Sequence, residues 1–175
     1  MKSDYRQRAR KFVKLIYPYI KDDLHSCSSD LLATIRLFSR YHNRQVELNY
    51  GQSRYVLITA DYVIKWNRRE EANTVIGDCE SEYAVWEWIH DEFPCYEHLF
   101  AEITPFNYEG NTFYIMPRVK GIDEKRDDAW EYIEDEYEYD FLIEHFSDLH
   151  GGNFGINHNG EVIIFDYAWN FTLDE

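Results

Sequence analysis

The chain has 175 residues, 45% of them apolar and 18% aromatic, with a net charge of −15. That length holds one domain, or one with an appendage, and so much aromatic area argues for a folded core over disorder. The negative balance excludes a general nucleic-acid-binding surface and leaves open a basic protein partner or DNA mimicry.

Residues 4–21 place Tyr5, Ala9, Phe12, Val13, Ile16 and Ile20 at helical spacing, with cations on the opposite face; Pro18 falls where it would kink or end the run. A second helix is expected from about 30 to 42, capped by Ser28 or Ser29, with Leu31, Leu32, Ile35, Leu37 and Phe38 as its buried stripe. The period then changes to two. Residues 46–50, 54–58 and 62–66 read as three antiparallel strands, the first pair joined by a turn at Gly51-Gln52-Ser53. Residues 68–78 are polar and read as a loop. Glu80 to about Glu92 reads as a helix with Tyr83, Val85, Trp86 and Ile89 on its apolar side. Strands follow near 100–106 and 112–119 around a turn at Glu109-Gly110-Asn111. Residues 127–146 form an acidic, aromatic helical region of one or two helices. A loop from Asp148 to Asn153, a short strand, an Asn159-Gly160 turn and a strand over 161–165 close the pattern.

Charge is uneven along the chain. Lys2, Arg6, Arg8, Arg10, Lys11, Lys14 and Lys21 stand against ten acidic side chains in residues 121–140. These segments read either as partners of one another or as two solvated helix faces. Cys27, Cys79 and Cys95 are odd in number, far apart and without a CxxC pair, which reads as reduced thiols of a cytoplasmic protein. Neither a membrane-spanning run nor the apolar region of a signal peptide is expected.

The segment with most chemical content reads Asp148-Leu149-His150-Gly151-Gly152-Asn153, followed by Val162-Ile163-Ile164-Phe165-Asp166. A carboxylate, an amide and a second carboxylate at this spacing can flank a turn and a short hairpin. They then converge oxygen-bearing side chains on one point, as a magnesium-bound triphosphate requires. A zinc site around His145 and His150, or a hydrolytic triad, lacks the further ligands or the nucleophile it would need.

The order of elements, with Lys65 in Val63-Ile64-Lys65, a glutamate on the next helix, Asp-x4-Asn, a hairpin and an apolar run ending in Asp166, resembles the protein-kinase-like superfamily over about 70% of the chain, residues 45–167. The wording is similar to that of minimal kinase-like proteins of bacteriophage or bacterial type. The resemblance implies an α+β fold: a kinase-like N-lobe of about five antiparallel strands plus one helix, a much reduced helical C-lobe and two extra N-terminal helices. It divides one domain, 1–175, into N-terminal helices (1–44), sheet and helix (45–119) and a catalytic-loop-like hairpin region (120–175).

The same resemblance implies roles. Lys65 would contact the α- and β-phosphates of ATP. A buried ammonium needs a counter-charge, which Glu82 or Glu80 offers; Glu82 is preferred because Trp86, one turn on, marks an inward face. Asn153 and Asp166 would hold Mg2+, and Asp148 would position the attacking hydroxyl. His150, standing where protein kinases carry lysine, would donate to a phosphate oxygen. Met116 and Arg118 fall where the family's hinge grips adenine. The implied activity is transfer of the ATP γ-phosphate to a hydroxyl of a protein or small molecule. The alternative is a catalytically inactive kinase-like binder or inhibitor acting on a protein partner through its acidic surface. A homodimer is left open; neither nucleic acid nor membrane is an expected partner.

The chain also departs from the family. The glycine-rich loop is reduced to Gly51-Gln52-Ser53-Arg54, where Arg54 reads either as a cation over the triphosphate or as an exposed strand residue. Phe146-Ser147 replaces the His-Arg that precedes the catalytic aspartate. The sequence ends nine residues after Asp166, so no activation segment or peptide-docking platform is expected. Residues 4–42 are then expected to pack under the catalytic loop in their place.

Overall fold

Alternating apolar positions build an antiparallel sheet of five strands. These are β1 (Glu47–Tyr50), β2 (Arg54–Ile58), β3 (Tyr62–Asn67), β4 (Thr104–Tyr108) and β5 (Asn111–Pro117), in spatial order β1-β2-β3-β5-β4. The computed structural model describes residues 4–24, 29–51, 53–68, 78–122, 133–146 and 149–167. Expectations resting on Ser28, Gln52, most of the 68–78 loop, the first part of the 127–146 region, Ser147 and Asp148 lie outside the described residues. The fold is α+β: two helices, the five-stranded sheet with one helix between β3 and β4 in sequence, a fourth helix and a smaller sheet. It divides into two compact units, Met1–Cys79 with Ile103–Arg118, and Glu80–Glu102 with Val119–Glu175.

In the first unit, α1 (Tyr5–Ile20) starts where Asp4 Oδ1 accepts the Gln7 N–H at 3.2 Å. Pro18 neither ends nor precedes the helix but lies inside its last turn. It removes only the donor to the Lys14 carbonyl, on an exposed residue where water can substitute. The second helix, α2 (Ser29–Tyr41), buries Leu31, Ile35 and Phe38. Leu37, expected in that stripe, is instead 65% exposed. Two positions beyond Ile35 is about 200° round the helix, so one residue cannot share the other's face.

Both helices lie on one face of the sheet. Phe12, Val13, Ile16 and Ile20 join Leu31, Ile35 and Phe38 in a cluster with Tyr55, Leu57, Tyr62, Ile64, Trp66, Phe113 and Ile115. Every second residue of β2, β3 and β5 offers them a continuous apolar surface. The cations of α1 have partners within the same unit: Arg8 pairs with Asp61 at 2.7 Å, while Arg10 and Lys14 lie over the rings of Phe106 and Tyr108. Tyr108 opposes Asn111 across a two-residue turn, Glu109 (φ 49) and Gly110 (φ 76), the doubly left-handed geometry that matches strand twist.

The second unit contains α3 (Asp78–Glu92, all but its first two residues), β6 (Lys120–Gly121), α4 (Glu136–His145), β7 (Phe154–Ile156) and β8 (Val162–Ile164), with the short strands in order β6-β7-β8. Asp135 caps α4 by accepting the N–H groups of Tyr137 and Glu138. Phe141 packs against Phe93 and Tyr96, ring centroids 5.1 and 4.2 Å away. β6 was not expected from the sequence, since two residues carry no periodicity. Its approach explains Gly155: a Cβ there would meet the Val119 side chain and come within 2.8 Å of the Lys120 carbonyl oxygen. No described helix is long and apolar enough to cross a membrane.

Candidate functional site

A 3-10 turn over Gly151–Asn153 is set up by its flanking residues. Asn153 Oδ1 accepts the His150 N–H at 2.9 Å, and the Asn153 N–H donates to the His150 carbonyl at 2.8 Å. The other half of the amide, Nδ2, donates to the backbone carbonyl of Asp166 at 2.6 Å. The Phe165 N–H in turn donates to the Asn153 carbonyl at 2.9 Å. One buried asparagine thus pins its own turn to the end of β8, fixing where Asp166 leaves the sheet. Asp166 itself is half-buried.

His150 is exposed, and its Nδ1 accepts the Gly152 N–H at 3.1 Å. An accepting Nδ1 leaves the proton of the neutral ring on Nε2, available as an outward donor. At Gly152 a Cβ would sit 2.9 Å from the His150 Cε1, so a side chain there would displace the ring from its place over the turn. Positive φ among the described glycines belongs to Gly110 and Gly160.

Tyr167 is a neighbour that the sequence reading passed over. It is wholly buried, and its hydroxyl donates to the Ala101 carbonyl at 3.0 Å, anchoring the backbone just beyond Asp166. The available signal was an aromatic directly after an apolar-Asp sequence. Burial, reinforced by the charges of Glu82, Asp166 and Glu102, pushes its phenol well above the ordinary 10.0. The unfolded state then loses this proton first, so the contribution is complete below pH 10 and is lost as pH rises toward the higher folded value. Tyr83, pushed up to about 12 chiefly by its hydrogen bond to Glu87, acts in the same direction. Chemical denaturation between neutral pH and pH 11 should therefore show falling stability above about pH 10. Tyr167→Phe should flatten part of that fall while costing about 1–3 kcal/mol at neutral pH, through the unpaired Ala101 carbonyl. An unchanged alkaline slope would rule out this anchor as its source.

Lys65 lies in the middle of β3, opposite Val56 and Tyr114, and is buried. It points away from the face covered by α1 and α2, to which Ile64 and Trp66 belong. Arg54, opposite Asn67 on the same side as Lys65, is also buried, so its reading as an exposed strand residue is corrected. Two cations on one sheet face are costly to bury without anionic partners. Glu82 on α3 is buried and Glu80 only half-buried, so the carboxylate preferred from the sequence is the one withdrawn from water.

Gly51 is exposed at the β1–β2 turn, which Arg68 clips by donating Nη1 to the Gly51 carbonyl and its backbone N–H to the Ser53 carbonyl. Met116 is buried opposite Val63. Arg118 braces the β2–β3 turn, donating Nη1 to the Thr59 carbonyl at 2.9 Å and its N–H to the Asp61 carbonyl at 3.1 Å. Asp148 lies outside the described residues.

These elements define an α+β chain with buried cations on one sheet and an asparagine-clamped carboxylate loop on another. No family model matches the sequence, and no curated protein does. Among solved structures, the chain is similar to the bifunctional kinase-methyltransferase WbdD at medium resolution, with TM-score 0.35 and 15% identity over 70% of this chain and 31% of that one. It is also similar to WbdD in co-crystals with the kinase inhibitor LY294002, with TM-score 0.35 and 16% identity over 71% and 32% of the respective chains. The chain spans about a third of the length of these solved chains.

Proposed function

We propose that the chain is a kinase-like phosphotransferase that moves the γ-phosphate of ATP to a hydroxyl. The observation that carries this reading is the Asn153 clamp, which links His150 and Asp166 through the two ends of one amide. Asn153 Oδ1 keeps a second lone pair, and Asp166 contributes a carboxylate: hard oxygen donors of the kind Mg2+ takes. Mg2+ characteristically binds through one or two protein oxygens together with substrate phosphates. When bound, the ion would offset charge on the phosphate oxygens.

The remaining roles are assigned to the chain's own side chains. Lys65, with Glu82 as its counter-charge, is assigned to the α- and β-phosphates, and Arg54 beside Gly51 to the outer phosphates. The Nε2–H of His150 donates to a phosphate oxygen, while Met116 and Arg118 border the base. Asp148 orients the acceptor hydroxyl and takes its proton as that oxygen bonds to the γ-phosphorus and the bond to the bridging oxygen of ADP breaks. The acceptor is a protein or small-molecule hydroxyl.

Wild-type protein should show a rise in melting temperature with Mg-ATP that neither ATP with chelator nor Mg2+ alone reproduces, together with transfer of labelled γ-phosphate to itself or to an acceptor. Stabilisation without transfer would favour the non-catalytic binder. The absence of both effects would sink the reading.

A further inference from the structure

Away from that loop, the two N-terminal helices carry an unfilled groove. Tyr19 at the end of α1 and Thr34, Leu37, Phe38, Tyr41 and His42 along α2 line an open depression of about 410 Å³. Leu37 and Tyr41 are 65% and 83% exposed, although they are among the larger apolar side chains of the chain. One turn apart on α2, they are neighbours of Arg36 and Arg40, which have the same spacing and are also exposed. The feature is an apolar floor with a basic edge. It belongs to a strongly basic segment: residues 1–44 hold ten Lys or Arg and four Asp or Glu, within a chain whose net charge is −15.

The complementary surface occurs on this same chain. On α4, Tyr139 and Ile143 are exposed one turn apart, and Asp140 and Glu144 are exposed beside them at the same spacing. Glu136 continues the acidic row by one turn toward the N-terminus. Two exposed side-chain pairs, apolar beside basic on α2 and apolar beside acidic on α4, therefore repeat with the same period. A helix laid in a groove with such anchors is a recurring mode of recognition. The concave apolar floor favours an inserted helix over a flat lipid surface, and the acidity of the whole protein opposes attraction to an anionic membrane.

We propose that the chain self-associates, with α4 of one copy seated in the α1–α2 groove of another. Tyr139 and Ile143 cover Leu37 and Tyr41, while Asp140 and Glu144 face Arg36 and Arg40. The contact joins two different surfaces, so repetition gives either a closed ring or an open series.

Sedimentation at rising protein concentration tests it. Wild type should show mass above the monomer, as one closed species or as a concentration-dependent series. Arg36→Glu with Arg40→Glu, and separately Asp140→Lys with Glu144→Lys, should each weaken association about tenfold or more, because two attractive pairs become repulsive. All four positions are exposed, so the melting temperatures of both variants should stay near that of wild type. Mixing the two variants should restore association, since each then supplies the surface the other lacks. A wild type that remains monomeric overturns the proposal. So does self-association that survives both double substitutions, or a mixture that fails to recover. Vesicle binding that depends on Arg36 and Arg40, without self-association, would assign the groove to lipid instead.

Discussion

Asp166→Ala is expected to remove the Mg-ATP-dependent rise in melting temperature and to reduce phosphate transfer by about a hundredfold or more, the scale on which a single charge-stabilising group acts. Its fold should survive. The bond that secures this position uses the backbone carbonyl of Asp166, which accepts from Asn153 Nδ2 at 2.6 Å, and alanine retains that carbonyl. Asp148→Ala should differ in kind, abolishing transfer while leaving nucleotide stabilisation largely intact, because its assigned task concerns the acceptor hydroxyl. If Asp166→Ala keeps both the shift and the transfer, the carboxylate has no part in metal or phosphate binding.

Asn153 supplies the control that separates chemistry from architecture. In Asn153→Ala the His150 N–H and the Asp166 carbonyl both lose their partner. Each unmet backbone group costs about 1–3 kcal/mol where water cannot reach it. Asn153→Ala should therefore lower the melting temperature without any nucleotide present, and by more than Asp166→Ala, which keeps both of those backbone bonds. Asn153→Asp is no rescue: it keeps an acceptor for His150 but turns a carboxylate oxygen toward the Asp166 carbonyl. The amide is the side chain that serves both ends.

What the residues disclosed in advance follows from range. β2 and β3 were legible because every second residue had to be apolar to meet a helix, and α1 because its apolar residues recur at helical spacing. Glu82 was preferred over Glu80 through Trp86, and the structure buries both Glu82 and Trp86. Other features depend on chain segments meeting far apart in sequence. β6 exists because Lys120 and Gly121 find Ile156 and Gly155, and two residues have no pattern of their own. The room needed at Gly152 comes from a histidine ring folded back over it, so the residue type was visible but not its reason. The sheet face that covers α1 and α2 could not be read in advance for the same cause: an amphipathic stripe shows that a helix will be covered, not what will cover it.

Trp66→Ala should be among the most damaging single substitutions in the first unit. Trp66 is almost wholly buried, its ring 5.4 Å from that of Tyr55 and 6.0 Å from that of Phe113, while Nε1 donates to the Leu24 carbonyl at 2.8 Å. One side chain thus fills the space between sheet and helices and also holds the chain just past α1. Truncation leaves a large cavity, worth about 3–5 kcal/mol for an aromatic of this size, and strands the Leu24 carbonyl as well. Against a total stability of about 5–15 kcal/mol, that loss brings the fold near its limit. Trp66→Phe separates the two contributions: most of the ring contact remains, the donor disappears, and the expected loss is about 1–2 kcal/mol. For a chain of this length the two losses correspond to falls in melting temperature of roughly 6–20 °C and 2–8 °C. Equal falls for the two variants would show that the bond to Leu24, rather than the filled volume, holds α1 on the sheet. A small fall for both would mean that α1 and α2 are not secured through Trp66.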